Sequence, residues 1–207
     1  MTTIEINKIG KKVENKYLFQ DLSFTASSGE MIAITGDSGC GKTTLLNCIG
    51  QLENLSAGSI SINGEIIHKK NRKIFFKHTV GFLFQNFGLI DNETVSKNLE
   101  IATNNKDSIV TWLKYFNIEP LLNLPIYKIS GGEQQRVALI RTILKDPILI
   151  LADEPTASLD ETNRDLVINE LRKLSKKGKI VIVVTHDKNI LSQFDKIIKL
   201  NNGKITM

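Results

Sequence analysis

The stretch Met31 to Thr44, MIAITGDSGCGKTT, restricts the fold of this chain more than any other. MIAIT is a short apolar run that suits a buried strand. It ends in a glycine-rich turn, in which Gly36, Gly41, Lys42 and Thr43 satisfy the pattern G-x-x-x-x-G-K-[ST]. Residues Lys42 to Leu52 then have helical character. Such a corner is built to hold phosphate. Its glycines let the backbone curl so that successive N–H groups point at phosphate oxygens. The helix start adds partial positive charge. Lys42 supplies a point charge to β- and γ-phosphates, and the Thr43 hydroxyl suits Mg²⁺. Ser38, Gly39 and Thr44 complete the expected cradle.

The remainder of the chain reads as strands alternating with helices. Ile4 and Ile6, then Leu22 and Phe24, alternate with polar residues as in half-buried strands. Gly58 to Gly64 reads as a strand entering a turn, and Thr79 to Gln85 as an aromatic-rich strand. From Asn92 to Tyr127 the apolar spacing suits short helices, punctuated by Pro120 and Pro125. Helices near Gly132 to Leu144 and Asn163 to Leu174 alternate with strands Ile148 to Ala152 and Ile180 to Thr185. That alternation predicts a parallel sheet with helical crossovers. The 207 residues suit one α/β domain with a helical insertion.

Two further stretches carry chemistry. Ile148 to Leu151 form a buried strand that delivers Asp153 and Glu154 at its end, where open α/β sheets bind ligands. Asp153 suits Mg²⁺, and Glu154 suits polarising a water for attack on a γ-phosphate. Ser130-Gly131-Gly132 opens a helix whose first turn carries Glu133, making a second anion site of free N–H groups, a hydroxyl and a helix dipole.

Composition excludes several alternatives. No stretch approaches the roughly 18 apolar residues of a membrane span, and MTTIEINKIG has no signal-peptide core. A cytoplasmic chain is expected, with any membrane function supplied by a partner. Cys40 and Cys48 are too few for a disulfide framework and lack metal-ligand spacing. The net charge of +5 is mild, and the lysines read as a solvated surface spread along the chain.

KISGGEQQRVALIR, Lys128 to Arg141, resembles the signature of ABC (ATP-binding cassette) ATPases, with Ile129 in place of the usual leucine. The resemblance runs through the whole chain. Gln85 in GFLFQNF resembles the Q-loop, Ser158-Leu159-Asp160 the D-loop, and His186 in VVTHD the switch histidine. It implies a P-loop NTPase of the ABC type, 1–207. The expected fold is a mixed sheet core, an N-terminal antiparallel β subdomain and a short α-helical subdomain inserted over about 86–145. It implies an ATP hydrolase using ATP and Mg²⁺, with Lys42, Gln85, Glu154 and His186 in catalysis and Thr43, Gln85 and Asp153 at the metal. It also implies a second ATPase subunit bound head to tail. Ser130, Gly131 and Gly132 then reach the partner's ATP, and Asp160 lies at the dimer contact. An integral-membrane permease is the other implied partner, which places the chain on the inner face of the membrane. Nucleic acid is not an expected partner.

TLLNCIGQLENLSAGSISING and GFLFQNFGLIDNETVSKNLEIA resemble the exporter branch of macrolide export and lipoprotein release, closest to lactococcin-type bacteriocin export. Two departures stand out. The family's adenine-stacking aromatic aligns with Ile9 or Val13, neither aromatic, although Tyr17 is near. The helical insertion is short. Phe87 and Ile90, in an expected loop after Gln85, are candidate anchors for the permease, and Phe84 is expected in the core. A non-transport ABC ATPase acting on nucleic acid or the ribosome would need long insertions, a zinc motif or a second cassette. A P-loop kinase would leave the signature unexplained.

Overall fold

The computed structural model describes residues 1–157 and 159–206. The chain begins with two long strands, β1 (Thr3–Val13) and β2 (Lys16–Ser27), joined by a tight turn. β3 (Met31–Thr35) leads through the glycine-rich turn into α1 (Lys42–Ile49). β4 (Ala57–Ile62) and β5 (Glu65–Ile66) follow. Residues Lys69 to Thr79 form a run of irregular helical turns with α2 (Arg72–Ile74) at its centre, before β6 (Val80–Leu83). Three helices come next: α3 (Val95–Glu100), α4 (Lys106–Tyr115) and α5 (Gly131–Lys145). The chain ends with β7 (Leu149–Asp153), α6 (Glu161–Lys176), β8 (Ile180–Val184), β9 (Lys196–Asn201) and β10 (Lys204–Thr206).

The strands form two sheets. One is antiparallel, in the order β2-β1-β4-β5. The other runs β10-β9-β3-β8-β7-β6, parallel except for the terminal β9–β10 pair. The expected mixed core and antiparallel subdomain are thus present.

Strand periodicity explains the layers. In MIAIT, LILAD and IVIVV successive side chains point to opposite faces, and both faces are covered. Met31, Ala33, Ile150, Ala152, Val181 and Val183 join one core with α3, α4, α5 and α6. Ile32, Ile34, Leu149, Leu151, Ile182 and Val184 join a second core with α1 and the antiparallel sheet. A one-residue slip of any central strand would exchange its two cores.

Capping residues fix helix starts where the sequence supplies them. Asn105 and Asp160 accept hydrogen bonds from the backbone N–H groups of Ser108 and Asn163, at the starts of α4 and α6. At α5, Ser130 and Glu133 form a capping box: the Ser130 N–H donates to Glu133 Oε2 at 2.7 Å, and the Glu133 N–H donates to Ser130 Oγ at 3.4 Å. No helix among the described residues is long and apolar enough to cross a membrane.

Candidate functional site

Strand order assembles the site. β3, β8, β7 and β6 are parallel neighbours, so their C-terminal ends open on one edge of the sheet. The glycine-rich loop leaves β3, His186 follows β8, Asp153 and Glu154 end β7, and Gln85 follows β6. A pocket of about 400 Å³ lies there, lined by Ser38, Gly39, Gly41, Lys42, Thr43, Thr44, Gln85, Glu154 and His186. Leu18 and Val184 complete it. Sequence reasoning missed both, because an aliphatic residue within a strand carries no sign of a binding role.

The loop backbone needs its glycines at two positions. Gly36 has φ 149°, and a Cβ there would lie 2.2 Å from the Leu200 carbonyl oxygen. Gly41 has φ 98°, and its Cβ would meet Leu18 at 2.8 Å. Gly41 is the N-cap of α1 and carries no side-chain cap, which leaves the first-turn N–H groups available to an anion. The buried Lys42 ammonium donates to the carbonyls of Gly36 and Asp37, each at 2.9 Å.

Thr43 and Asp153 meet across the pocket floor, where Thr43 Oγ1 donates to Asp153 Oδ1 at 3.2 Å. Burial holds the Asp153 carboxyl above the usual carboxylate range. The Thr43 hydrogen bond and Lys42 oppose that shift, and Glu154 adds to it. A buried carboxylate beside a hydroxyl, next to a phosphate cradle, is a donor set that suits a hard oxygen-seeking cation such as Mg²⁺. The described residues contain no cluster of three or more His, Cys, Asp or Glu able to cage a metal alone. Mg²⁺ is typically bound by one or two protein groups together with substrate phosphates, so the residues present fit it.

Glu154 adopts φ 45°, an uncommon left-handed conformation for a residue with a side chain. Its N–H donates to the Val184 carbonyl at 2.9 Å. Its carboxylate is 2.9 Å from His186 Nδ1 and accepts the His186 N–H at 3.4 Å. These contacts hold the turn and aim the carboxylate into the pocket.

Ser130, Gly131, Gly132 and Asp160 do not reach this pocket. They share a separate surface joined by Asn163. Its N–H and side-chain amide donate to Asp160 Oδ1 and Oδ2 at 2.9 and 2.7 Å, and its side-chain oxygen accepts from Arg136 at 2.8 Å. Asn163 had no signal in the sequence beyond its helix position. The neighbouring Ser158 lies outside the described residues.

The structure separates the candidates for a base contact. Ile9 is fully buried in the second core. Val13 is half exposed and lines a recess of about 500 Å³ with Leu18, Gly39 and Cys40, of which Leu18 and Gly39 also line the phosphate pocket. Tyr17 borders the same recess, but the Lys12 ammonium sits over its ring, 4.6 Å from the centroid.

The segment after Gln85 also divides. Phe87 packs partly buried against the first core, and its carbonyl accepts from Arg141 at 3.1 Å. Ile90 is 50% exposed, on a loop clamped by Asn98, whose side chain bonds both its N–H and its carbonyl. Phe84 is only partly buried and stacks on Phe82 with ring centroids 5.2 Å apart. It lines a surface groove, because the strand ends at Leu83.

Comparison with known proteins agrees with this geometry. Residues 19–157 match the family model described as "ABC transporter". The chain is 34% identical to the ABC transporter ATP-binding protein YxdL of Bacillus subtilis, over 98% of this chain and 84% of that protein. It is 33% identical to the phosphonates import ATP-binding protein PhnC of Fusobacterium nucleatum, over 99% of this chain and 91% of that one. It is 32% identical to the macrolide export ATP-binding/permease protein MacB of Hyphomonas neptunium, over 89% of this chain and 30% of that longer protein. Among solved structures it is similar to the ATP-binding cassette MJ0796, described as a dimer in a post-hydrolysis state bound to ADP and Pi. The TM-score is 0.89 at 30% identity, over 99% of this chain and 97% of that one. A sheet that gathers a phosphate loop, an acidic strand end and a histidine on one edge is therefore found where sequence and fold relatives are transporter cassettes, and the chain belongs to the ABC transporter ATP-binding family as an ATP hydrolase.

Proposed function

We propose that the chain is the ATP-hydrolysing subunit of an exporter for a bacteriocin, antimicrobial peptide or related substrate, working with a membrane-spanning permease. The observation that carries the ATPase part is the convergence of Lys42, Thr43, Asp153, Glu154, His186 and Gln85 on one sheet edge. The export reading rests on the sequence words around Gln85 and on the macrolide-export relative. Importers such as PhnC are equally similar overall, so direction is the finer part of the proposal.

In this reading the loop N–H groups and Lys42 bind the β- and γ-phosphates of ATP. Thr43, Asp153 and Gln85 hold Mg²⁺, which when bound neutralises phosphate charge. Glu154 accepts a proton from the attacking water, and His186 orients the Glu154 carboxylate and donates toward the γ-phosphate. The exposed Ser130-Gly131-Gly132 and Asp160 surface meets a second cassette head to tail, which completes the site around each ATP. The chain acts as one cassette, 1–207, with its helical insertion over about 86–145, on the inner face of the membrane.

The test is co-expression with a candidate membrane-spanning permease, followed by transport assays in inverted vesicles. ATP-dependent accumulation of an added antimicrobial peptide in the vesicle lumen supports export. ATP-dependent release of a nutrient preloaded in the vesicle lumen would instead sink the export part while leaving the ATPase intact.

A further inference from the structure

Gln135 lies in the second turn of α5, and only 2% of its surface is exposed. Val137, Ala138, Leu139 and Ile140, just beyond it in the helix, are buried and apolar. A primary amide is costly in such surroundings unless it is hydrogen-bonded, and a methionine would fill much the same volume. The amide is bonded: Nε2 donates to the Pro155 carbonyl at 2.8 Å. A carbonyl only accepts, so the nitrogen end of the amide must face it.

Pro155 follows Glu154 directly, so this bond bears on the glutamate. Glu154 stands at φ 45°, a conformation disfavoured by its own side chain and again by the proline after it. A backbone held there persists only where its surroundings over-determine it. Two restraints come from β8 and the residues after it: the Val184 carbonyl accepts the Glu154 N–H, and His186 meets the carboxylate. Gln135 supplies a third, from α5. Pro155 is buried and has no N–H, so its carbonyl is the one backbone group by which a hydrogen bond can hold it. Gln135 itself takes no part in lining the phosphate pocket.

We propose that Gln135 is a positioning residue for ATP hydrolysis: its amide holds the turn that carries Glu154, and so sets where the Glu154 carboxylate meets the attacking water. The inference rests on the reading of Glu154 as the base. The next residue on α5, Arg136, reaches Asn163, which holds Asp160. One helix therefore grips both ends of the link between β7 and α6. Freeing the turn at Pro155 changes the rate of hydrolysis and leaves the ATP cradle, built on β3 and α1, as it is.

ATPase assays and calorimetry on the full chain test it with two variants. Gln135→Met keeps the volume and removes the donor, and Gln135→Glu keeps the shape. In Gln135→Met, kcat should fall about tenfold, the worth of one hydrogen bond, while KM and ATP affinity stay within about twofold of the wild type. In Gln135→Glu the carboxylate repels the Pro155 carbonyl, whereas the protonated acid can donate to it, and burial favours the acid. Its kcat relative to the wild type should therefore rise at least about threefold as the pH falls from about 8 to about 6. A residue that only fills space would show no such recovery. A kcat for Gln135→Met within about twofold of the wild type overturns the proposal. So does a Gln135→Glu ratio that is flat with pH, or an equal loss of kcat and ATP affinity, the mark of general loosening. Should Gln135→Met fail to fold, Gln135→Glu alone decides. Glu154→Gln is assayed in parallel. If it turns over like the wild type, the reading of Glu154 as the base falls; if it is inactive while Gln135→Met is normal, only the role of Gln135 falls.

Discussion

His186 Nδ1 lies 2.9 Å from Glu154 Oε1, although the two residues are carried by different strands. The pairing exists because β7 and β8 run parallel in register, Asp153 beside Val184, so that the residues just beyond each strand emerge side by side. Glu154 is mostly buried and His186 mostly exposed, which leaves the carboxylate aimed into the pocket and the ring free to swing toward a ligand.

Glu154→Gln keeps the shape of the side chain but cannot accept a proton from water. Turnover should fall by roughly 10²-fold or more while ATP binding persists. ATP-bound dimers should then accumulate on a sizing column. Turnover like that of the wild type would remove Glu154 from the role of base.

Lys42→Ala should weaken ATP binding by about 10- to 150-fold, the equivalent of a lost charge-assisted contact of about 1.5–3 kcal/mol. The ammonium also ties the loop carbonyls of Gly36 and Asp37, so the free protein should lose some stability as well. Calorimetry reads both effects. Unchanged affinity for nucleotide would count against the whole phosphate-loop assignment.

The recess beside the loop offers Val13 where a stacking ring would otherwise hold the base. Base-aromatic stacking is worth about 1–3 kcal/mol. Val13→Tyr should therefore tighten ATP and GTP alike by about fivefold or more, and the wild type should distinguish the two bases only weakly. Tyr17→Ala should leave ATP affinity nearly unchanged. A large loss in that variant would move the base contact onto Tyr17.

The two cysteines should react unequally. Burial pushes the Cys48 thiol up to about 11, so it stays protonated and inert at pH 7 to 8. Cys40 is partly exposed at the edge of the phosphate loop. A maleimide should label one cysteine per chain, ATP should protect it, and Cys40→Ser should abolish labelling while sparing hydrolysis. Mass spectrometry that finds the label on Cys48 would contradict this.

Phe87 and Ile90 should separate under substitution to serine. Phe87 packs on the first core, so Phe87→Ser should cost about 1–3 kcal/mol and lower the melting temperature by several degrees. Ile90→Ser exposes little new surface and should leave melting unchanged. Equal destabilisation would mean that both are core residues, which would remove Ile90 as a permease contact.

The sequence by itself determined the local chemistry. Gly36 to Thr44 must curl around an anion, and MIAIT, LILAD and IVIVV are apolar on both faces and must be buried. Ser130 with Glu133 must start a helix. Each of these follows from backbone sterics, side-chain alternation or hydrogen bonds within a few residues. Tertiary structure decided what those segments meet. Only the strand order β3-β8-β7-β6 brings Thr43 to Asp153 and His186 to Glu154, since residues far apart in the chain become neighbours through sheet pairing. Burial separates Ile9 from Val13, which fit an alignment equally: Ile9 lies in the core, and Val13 stands half exposed at the end of the strand. Lys73 and Lys77 were readable in the sequence, but their meeting with Arg141 and Lys145 around one groove required α5 to pack against β6. Periodicity and propensity act over one or two turns, whereas a site is set by long-range packing, which no short window of sequence encodes.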